Sequence, residues 1–126
     1  MKALLIIPTY NEITNIKNVI TASLAQSPDL NILVIDDNSP DGTAKVVKEL
    51  LEKEPRINLI ERPKKLGLGS AYVQGFKYAL KDDFDYILEM DADFSHNPAD
   101  IPRLLAAAKK YDVVIGSRYC QGVNII

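Results

Sequence analysis

Five short runs rich in Ile, Leu and Val punctuate this chain, at residues 3–7, 31–35, 57–60, 86–90 and 113–115. None alternates strictly between apolar and polar residues, so each predicts a strand buried on both faces, as in a parallel sheet. The stretches between them carry helical spacing instead. Residues 15–25 place Ile16, Val19, Ile20 and Leu24 on one face, and residues 44–51 do the same with Val46, Val47, Leu50 and Leu51. A third helix is expected from 70 to 80, with Tyr72, Val73, Phe76 and Leu80 turned inward. Ser39-Pro40 and Asn97-Pro98-Ala99-Asp100 each set a capping side chain before a proline, the signature of a helix start. Strands alternating with helices imply right-handed crossovers, giving an α/β chain of three layers, α/β/α, around a mainly parallel, Rossmann-like sheet.

A length of 126 residues suits one domain with one core, and 47% apolar with 25% charged residues suits a globular protein. A net charge of −2 excludes general attraction for nucleic acid, so a phosphate-bearing ligand would need a local site or a metal. Cys120 is the only cysteine; no internal disulfide can form, which points to a reducing compartment. The apolar start ends at Pro8, too soon for a signal peptide, and no run approaches the roughly 20 apolar residues of a membrane span. The expected location is cytoplasmic. The apolar end at Val123-Asn124-Ile125-Ile126, without a terminating signal, leads to the expectation of a domain truncated at its C-terminus.

In an open parallel sheet, ligands bind beyond the carboxyl ends of the strands. Pro8, Tyr10, Asn11 and Glu12 follow the first run, and Asp36, Asp37, Asn38 and Ser39 the second. Arg62, Lys64, Lys65 and Gly67-Leu68-Gly69 follow the third, Asp91 and Asp93 the fourth, and Gly116-Ser117-Arg118 the fifth. Acids, cations and glycines thus gather on one rim.

Asp91-Ala92-Asp93 is the chemical centre of that rim. In extended chain, residues two apart point the same way, with Cα atoms about 6–7 Å apart. Both carboxylates then reach one hard cation, Mg²⁺ or Mn²⁺, which completes its shell with water and phosphate. Ser95 offers a hydroxyl or holds a coordinated water. A second such triplet, Asp83-Phe84-Asp85, precedes the fourth strand and is read as a solvated turn.

The other rim residues are less specific. Asp37 is read as facing a ligand and Asp41 as turn chemistry, against the alternative that the acids serve the following helix dipole. The Lys64–Ala71 stretch either meets phosphates through its backbone or is a structural glycine turn; it is neither a dinucleotide fingerprint nor a P-loop. Arg118 either pairs with a phosphate or is a surface arginine. His96, the only histidine, packs or caps and is not read as a catalytic base.

The segments Pro8-Thr9-Tyr10-Asn11-Glu12, Ile35-Asp36-Asp37-Asn38-Ser39-Pro40-Asp41-Gly42-Thr43, Gly67-Leu68-Gly69-Ser70-Ala71-Tyr72, Met90-Asp91-Ala92-Asp93-Phe94-Ser95-His96 and Gly116-Ser117-Arg118-Tyr119 run in one order along the chain. In them the sequence resembles family 2 glycosyltransferases of the GT-A fold, above all the dolichol-phosphate and polyprenol-phosphate mannosyltransferases. The resemblance implies that residues 1–126 form the nucleotide-sugar-binding part of such a domain. Pro8, Tyr10, Glu12, Ile35 and Asp37 would line the nucleoside pocket; Asp91, Ala92 and Asp93 would meet the sugar nucleotide and metal, with Ser95 near the cation. Many relatives carry Gln where this chain has Ser95. Arg118 would face the acceptor phosphate, and Asp93 and Arg118 would be the catalytic residues.

The implied reaction moves mannose from GDP-mannose to a dolichyl or polyprenyl phosphate with inversion, at the cytoplasmic membrane face. A membrane-anchoring domain or subunit outside this chain is an implied partner. Three alternatives share parts of this pattern. A family 2 transferase with a UDP-sugar donor or another acceptor would carry every motif. A sugar nucleotidyltransferase would need a glycine-rich basic loop where Pro8-Thr9-Tyr10-Asn11-Glu12 stands. A donor-binding module without turnover would bind and not transfer.

Overall fold

The computed structural model describes residues 1–116. Four strands, β1 (Ala3–Thr9), β2 (Leu30–Asp36), β3 (Ile57–Glu61) and β4 (Tyr86–Glu89), form one parallel sheet in the order β3-β2-β1-β4. Their connections hold α1 (Ile16–Leu24), α2 (Thr43–Leu51) and α3 (Leu68–Leu80), and α4 (Ile101–Ala108) follows a short 3-10 turn at Pro98–Asp100.

Alternate residues of β1 feed two cores, because successive side chains leave opposite faces of a strand. Ala3, Leu5 and Ile7 pack with α1, α2 and α4 residues such as Ile16, Val47 and Ile101. Leu4 and Ile6 pack with Leu33, Ile35 and the α3 residues Ala71 and Ala79. The sheet is thus covered on both sides, the three-layer α/β/α arrangement expected from the sequence, and its unbroken apolar strands follow from that.

Three expectations about elements are corrected. Helix α3 faces the sheet with Ala71, Gly75 and Ala79, while Val73, Phe76 and Leu80 are exposed, Leu80 at 78%. The reason is close approach: a Cβ on Gly75 would lie 2.7 Å from Ile6 Cδ1, so only small residues fit where the helix crosses β1. Of the four expected inward residues only Tyr72 packs against the core. The run 113–115 is not a strand. Val113 and Ile115 are 77% and 81% exposed and pair with nothing among the described residues, and an apolar run forms a strand only when a neighbour takes its backbone hydrogen bonds. Ser39-Pro40 does not start α2, which begins at Thr43; Asp41 Oδ1 accepts from Thr43 N at 2.9 Å and does the turn work instead. Asn97 caps as expected, its side chain accepting from Ala99 N at 3.0 Å.

Candidate functional site

Strand order reverses at β1, which has β2 on one side and β4 on the other. Ligands favour the crevice outside such a switch point. An open cleft of about 250 Å³ lies there, lined by Pro8, Thr9, Tyr10 and Glu12 after β1, Asp37 after β2, Asp91, Ala92 and Asp93 after β4, and Lys65, Gly67, Leu68 and Ala71 around the start of α3.

The loop after β1 is held by the loop after β2. Asn11 N donates to Ser39 Oγ (2.9 Å), Glu12 N to Thr43 Oγ1 (3.1 Å) and Ile13 N to Asp41 Oδ2 (3.1 Å). Buried Asp36 joins the two strand ends, accepting from Thr9 Oγ1 at 2.7 Å and from Ser39 N and Oγ. Asn11 and Asn38 both take left-handed φ values of 55°, which asparagine tolerates better than most residues. Tyr10 is thereby held at the cleft mouth, with Lys65 Nζ 4.5 Å from its ring centroid.

Asp91-Ala92-Asp93 lies in a turn, not in extended chain: β4 stops at Glu89, Ala92 and Asp93 turn, and Phe94 is left-handed with φ 63°. Ala92 is buried, and both acids still face the cleft. Each carboxylate is oriented by a neutral donor. Tyr72 Oη donates to Asp91 Oδ1 at 3.1 Å, and Ser95 N donates to Asp93 Oδ1 at 2.9 Å. The Ser95 side chain and amide hold the Asp93 carboxyl below the usual carboxylate range. Burial pushes the Tyr72 hydroxyl up, and the Asp91 charge beside it pushes further the same way, so it stays a proton donor. His96 Nδ1 accepts from Asp91 N at 3.1 Å and so closes the turn that carries both acids.

Asp37 and Arg62 form a buried ion pair, 6% and 5% exposed. Arg62 Nε donates to Asp37 Oδ1 and Nη2 to Oδ2 at 2.9 Å. Leu66 N and Gly67 N also donate to Oδ2, at 3.0 and 3.3 Å. Burial pushes the Asp37 carboxyl up, but Arg62 and the two amides outweigh it and leave its pKa lowered.

The cleft's charge fits a cation. Among the described residues its lining holds four carboxylates, from Glu12, Asp37, Asp91 and Asp93, and one ammonium, from Lys65. Arg62 neutralises Asp37, which leaves three acids against one base. A diphosphate would be repelled unless a positive ion joined it. No trio of His, Cys, Asp or Glu converges among the described residues, so Asp91 and Asp93 would supply only part of a shell. That suits a hard divalent ion, which keeps water and substrate oxygens in the remaining positions.

The sequence pattern described as Glycosyl transferase family 2 matches residues 4–125. The chain belongs to this family. Among curated family 2 relatives, the undecaprenyl-phosphate mannosyltransferase of Micrococcus luteus is 41% identical, over 100% of this chain and 52% of its own length. The polyprenol monophosphomannose synthase of Mycolicibacterium smegmatis is 43% identical, over 98% of this chain and 48% of its own. The chain therefore spans about half the length of the curated relatives it matches. Among solved structures, the Pyrobaculum calidifontis mannosyltransferase PcManGT in complex with GDP-Man and Mn²⁺ superposes with a TM-score of 0.65 at 26% identity, covering 73% of this chain and 27% of that one.

Within this family 2 chain the structure brings Pro8, Tyr10, Glu12, Asp37, Asp91, Ala92 and Asp93 to one cleft. Two expected residues fall elsewhere. The Ile35 side chain is fully buried in the α3-side core, because inward alternation along β2 puts it beside Leu33. Ser95 is exposed and does not line the cleft; its amide serves Asp93. Arg118 lies outside the described residues. Two participants were not singled out from sequence. Tyr72 gives no signal beyond its motif. Arg62 gives one: the register pairs Asp36 with Glu61, so Asp37 and Arg62 each stand one residue past the ends of neighbouring strands.

Proposed function

We propose that this chain is the donor-binding part of a glycosyltransferase that moves mannose from GDP-mannose to a dolichyl or polyprenyl phosphate. The observation that carries this reading is the meeting of Asp91 and Asp93 with Tyr10 and Glu12 in one acid-rich cleft at the switch point. The names of the two relatives, about half of whose length this chain spans, and the GDP-Man and Mn²⁺ in the complex of the structural neighbour support the donor, the acceptor class and the cation.

In this reading Tyr10 gives the nucleoside an aromatic face, Glu12 and Asp37 accept hydrogen bonds from it, and Lys65 offers positive charge. Asp91 and Asp93 would hold Mg²⁺ or Mn²⁺, each oriented by its neutral donor. The chemistry that a divalent ion supplies in such a place is neutralisation of the charge gathering on a departing diphosphate. The acceptor phosphate oxygen forms the new bond to the anomeric carbon while the bond to the GDP oxygen breaks, and that electron pair leaves with GDP. Attack from the opposite face gives inversion. A phosphate monoester has its second pKa near about 6, so the nucleophile is already ionised at neutral pH and no general base is required. Arg118 is proposed to face the acceptor phosphate. A lipid-borne acceptor places the reaction at a membrane surface; among the described residues no helix is long and apolar enough to cross a membrane.

A thermal-shift panel of GDP-, UDP- and dTDP-sugars with Mn²⁺ tests the donor. GDP-mannose with Mn²⁺ is expected to raise Tm most. Equal stabilisation by a UDP-sugar would move the reading to another family 2 transferase, and stabilisation by none would remove the donor-binding reading.

A further inference from the structure

We propose that Arg62 is a positioning residue for the nucleotide, setting a cleft wall that it does not itself line. The proposal rests on the donor-binding reading above and adds a residue to it. All three nitrogens of the Arg62 fork are in use. Besides its two bonds to Asp37, Nη2 donates to Gly67 O at 3.0 Å and Nη1 donates to Ser70 Oγ. Asp37 Oδ2 in turn accepts from Arg62, Leu66 N and Gly67 N, whereas Oδ1 accepts from Arg62 alone. A carboxylate has about four acceptor directions. Oδ2 is saturated, and one direction remains on Oδ1 of a residue that lines the cleft.

Two consequences follow for a nucleoside. Asp37 is kept ionised with a single acceptor left for an N–H or O–H of the ligand. The main chain at Gly67, left-handed at φ 97°, is fastened between Asp37 and Arg62, which fixes Lys65, Gly67 and Leu68 as one wall of the cleft. A buried ion pair alone is weak evidence for stability, since an apolar pair of similar volume often serves as well. Here four acceptor atoms, from Asp37, Gly67 and Ser70, converge on one planar fork, which an ammonium cannot reproduce.

The test compares wild type with Arg62→Lys and Ser70→Ala, using calorimetric titration with GDP, with and without Mn²⁺, and amide hydrogen exchange. Arg62→Lys is expected to weaken GDP binding about tenfold or more, the scale of one lost charge-assisted contact. The ratio of affinities with and without Mn²⁺ should stay as in wild type, and the Leu66 and Gly67 amides should lose protection. Ser70→Ala alters an exposed residue, keeps the ion pair and is expected to act in the same direction by roughly twofold. Unchanged GDP affinity in both variants would overturn the proposal, whatever happens to Tm. If wild type binds no nucleotide, the donor-binding reading fails, and the amides decide the wall: protection retained in Arg62→Lys overturns it, protection lost upholds it. If Arg62→Lys does not fold, Ser70→Ala decides by the same two readouts.

Discussion

The two Asp-x-Asp segments stand at opposite ends of one strand. Before β4, Asp85 Oδ2 accepts from Lys2 N at 2.8 Å, Asp82 pairs with Lys2 Nζ at 3.0 Å, and the same ammonium lies 4.5 Å from the Phe84 ring centroid. The ammonium thus sits on Asp82, just before the segment, while Asp85 is spent on fastening the main chain at the start of β1. After β4, Asp91 and Asp93 are oriented by a hydroxyl and an amide, both neutral, so their charge stays available to the cleft. Identical spacing therefore carries different chemistry according to strand direction. The carboxyl end of a parallel sheet gathers loops around a crevice, and the amino end does not.

The largest expected difference between the two ends is in binding. Asp93→Ala should abolish the Mn²⁺-dependent part of GDP affinity, a loss above about a hundredfold by comparison with outer-shell changes. Asp85→Ala should leave that affinity within error in the same titration, and equal losses would erase the distinction. Asp37→Asn should lower stability at neutral pH by about 3–5 kcal/mol, since it leaves the Arg62 charge buried and unpaired. Its pH dependence has a fixed sign. The folded pKa of Asp37 is depressed, so its contribution is present above the unfolded value near 3.8 and is lost as pH falls through the lower folded value. The Tm gap between wild type and Asp37→Asn should accordingly close on acidification below 3.8 and not before.

Smaller effects sharpen the same contrast. Tyr72→Phe removes the donor to Asp91 and should weaken Mn²⁺-supported GDP binding about tenfold with little change in Tm. Phe94→Asn should raise stability by about 1 kcal/mol in denaturant titration, because asparagine tolerates the left-handed backbone that the cleft-side turn imposes. The turn at Asp83-Phe84-Asp85 has no left-handed residue, so no comparable gain is available there. Asp85→Ala, a surface change, should shift stability by no more than about 0.5 kcal/mol.

Much of the fold was legible because buried parallel strands leave unbroken apolar runs, and the rim rule then gathered the cleft acids without coordinates. What was not legible depends on partners. Helical periodicity marks the largest apolar side chains of α3, but the sheet chose its smallest face because Ile6 stands where a larger residue would go. Val113 and Ile115 carry strand propensity and, among the described residues, no neighbour to realise it. The extended geometry assumed for Asp91-Ala92-Asp93 gave way to a turn that buries Ala92 and still aims both acids at the cleft. Arg62 read as one more rim cation until the strand register set it against Asp37.

Gly75 has a reach beyond its own contact. Helix α3 begins at the cleft, where Leu68 and Ala71 form part of the wall, and rests midway on Ile6 through the missing Cβ. One added methyl group behind the site would force Ile6 or the helix to give way, so the seating of the cleft's wall depends on an atom the chain does without.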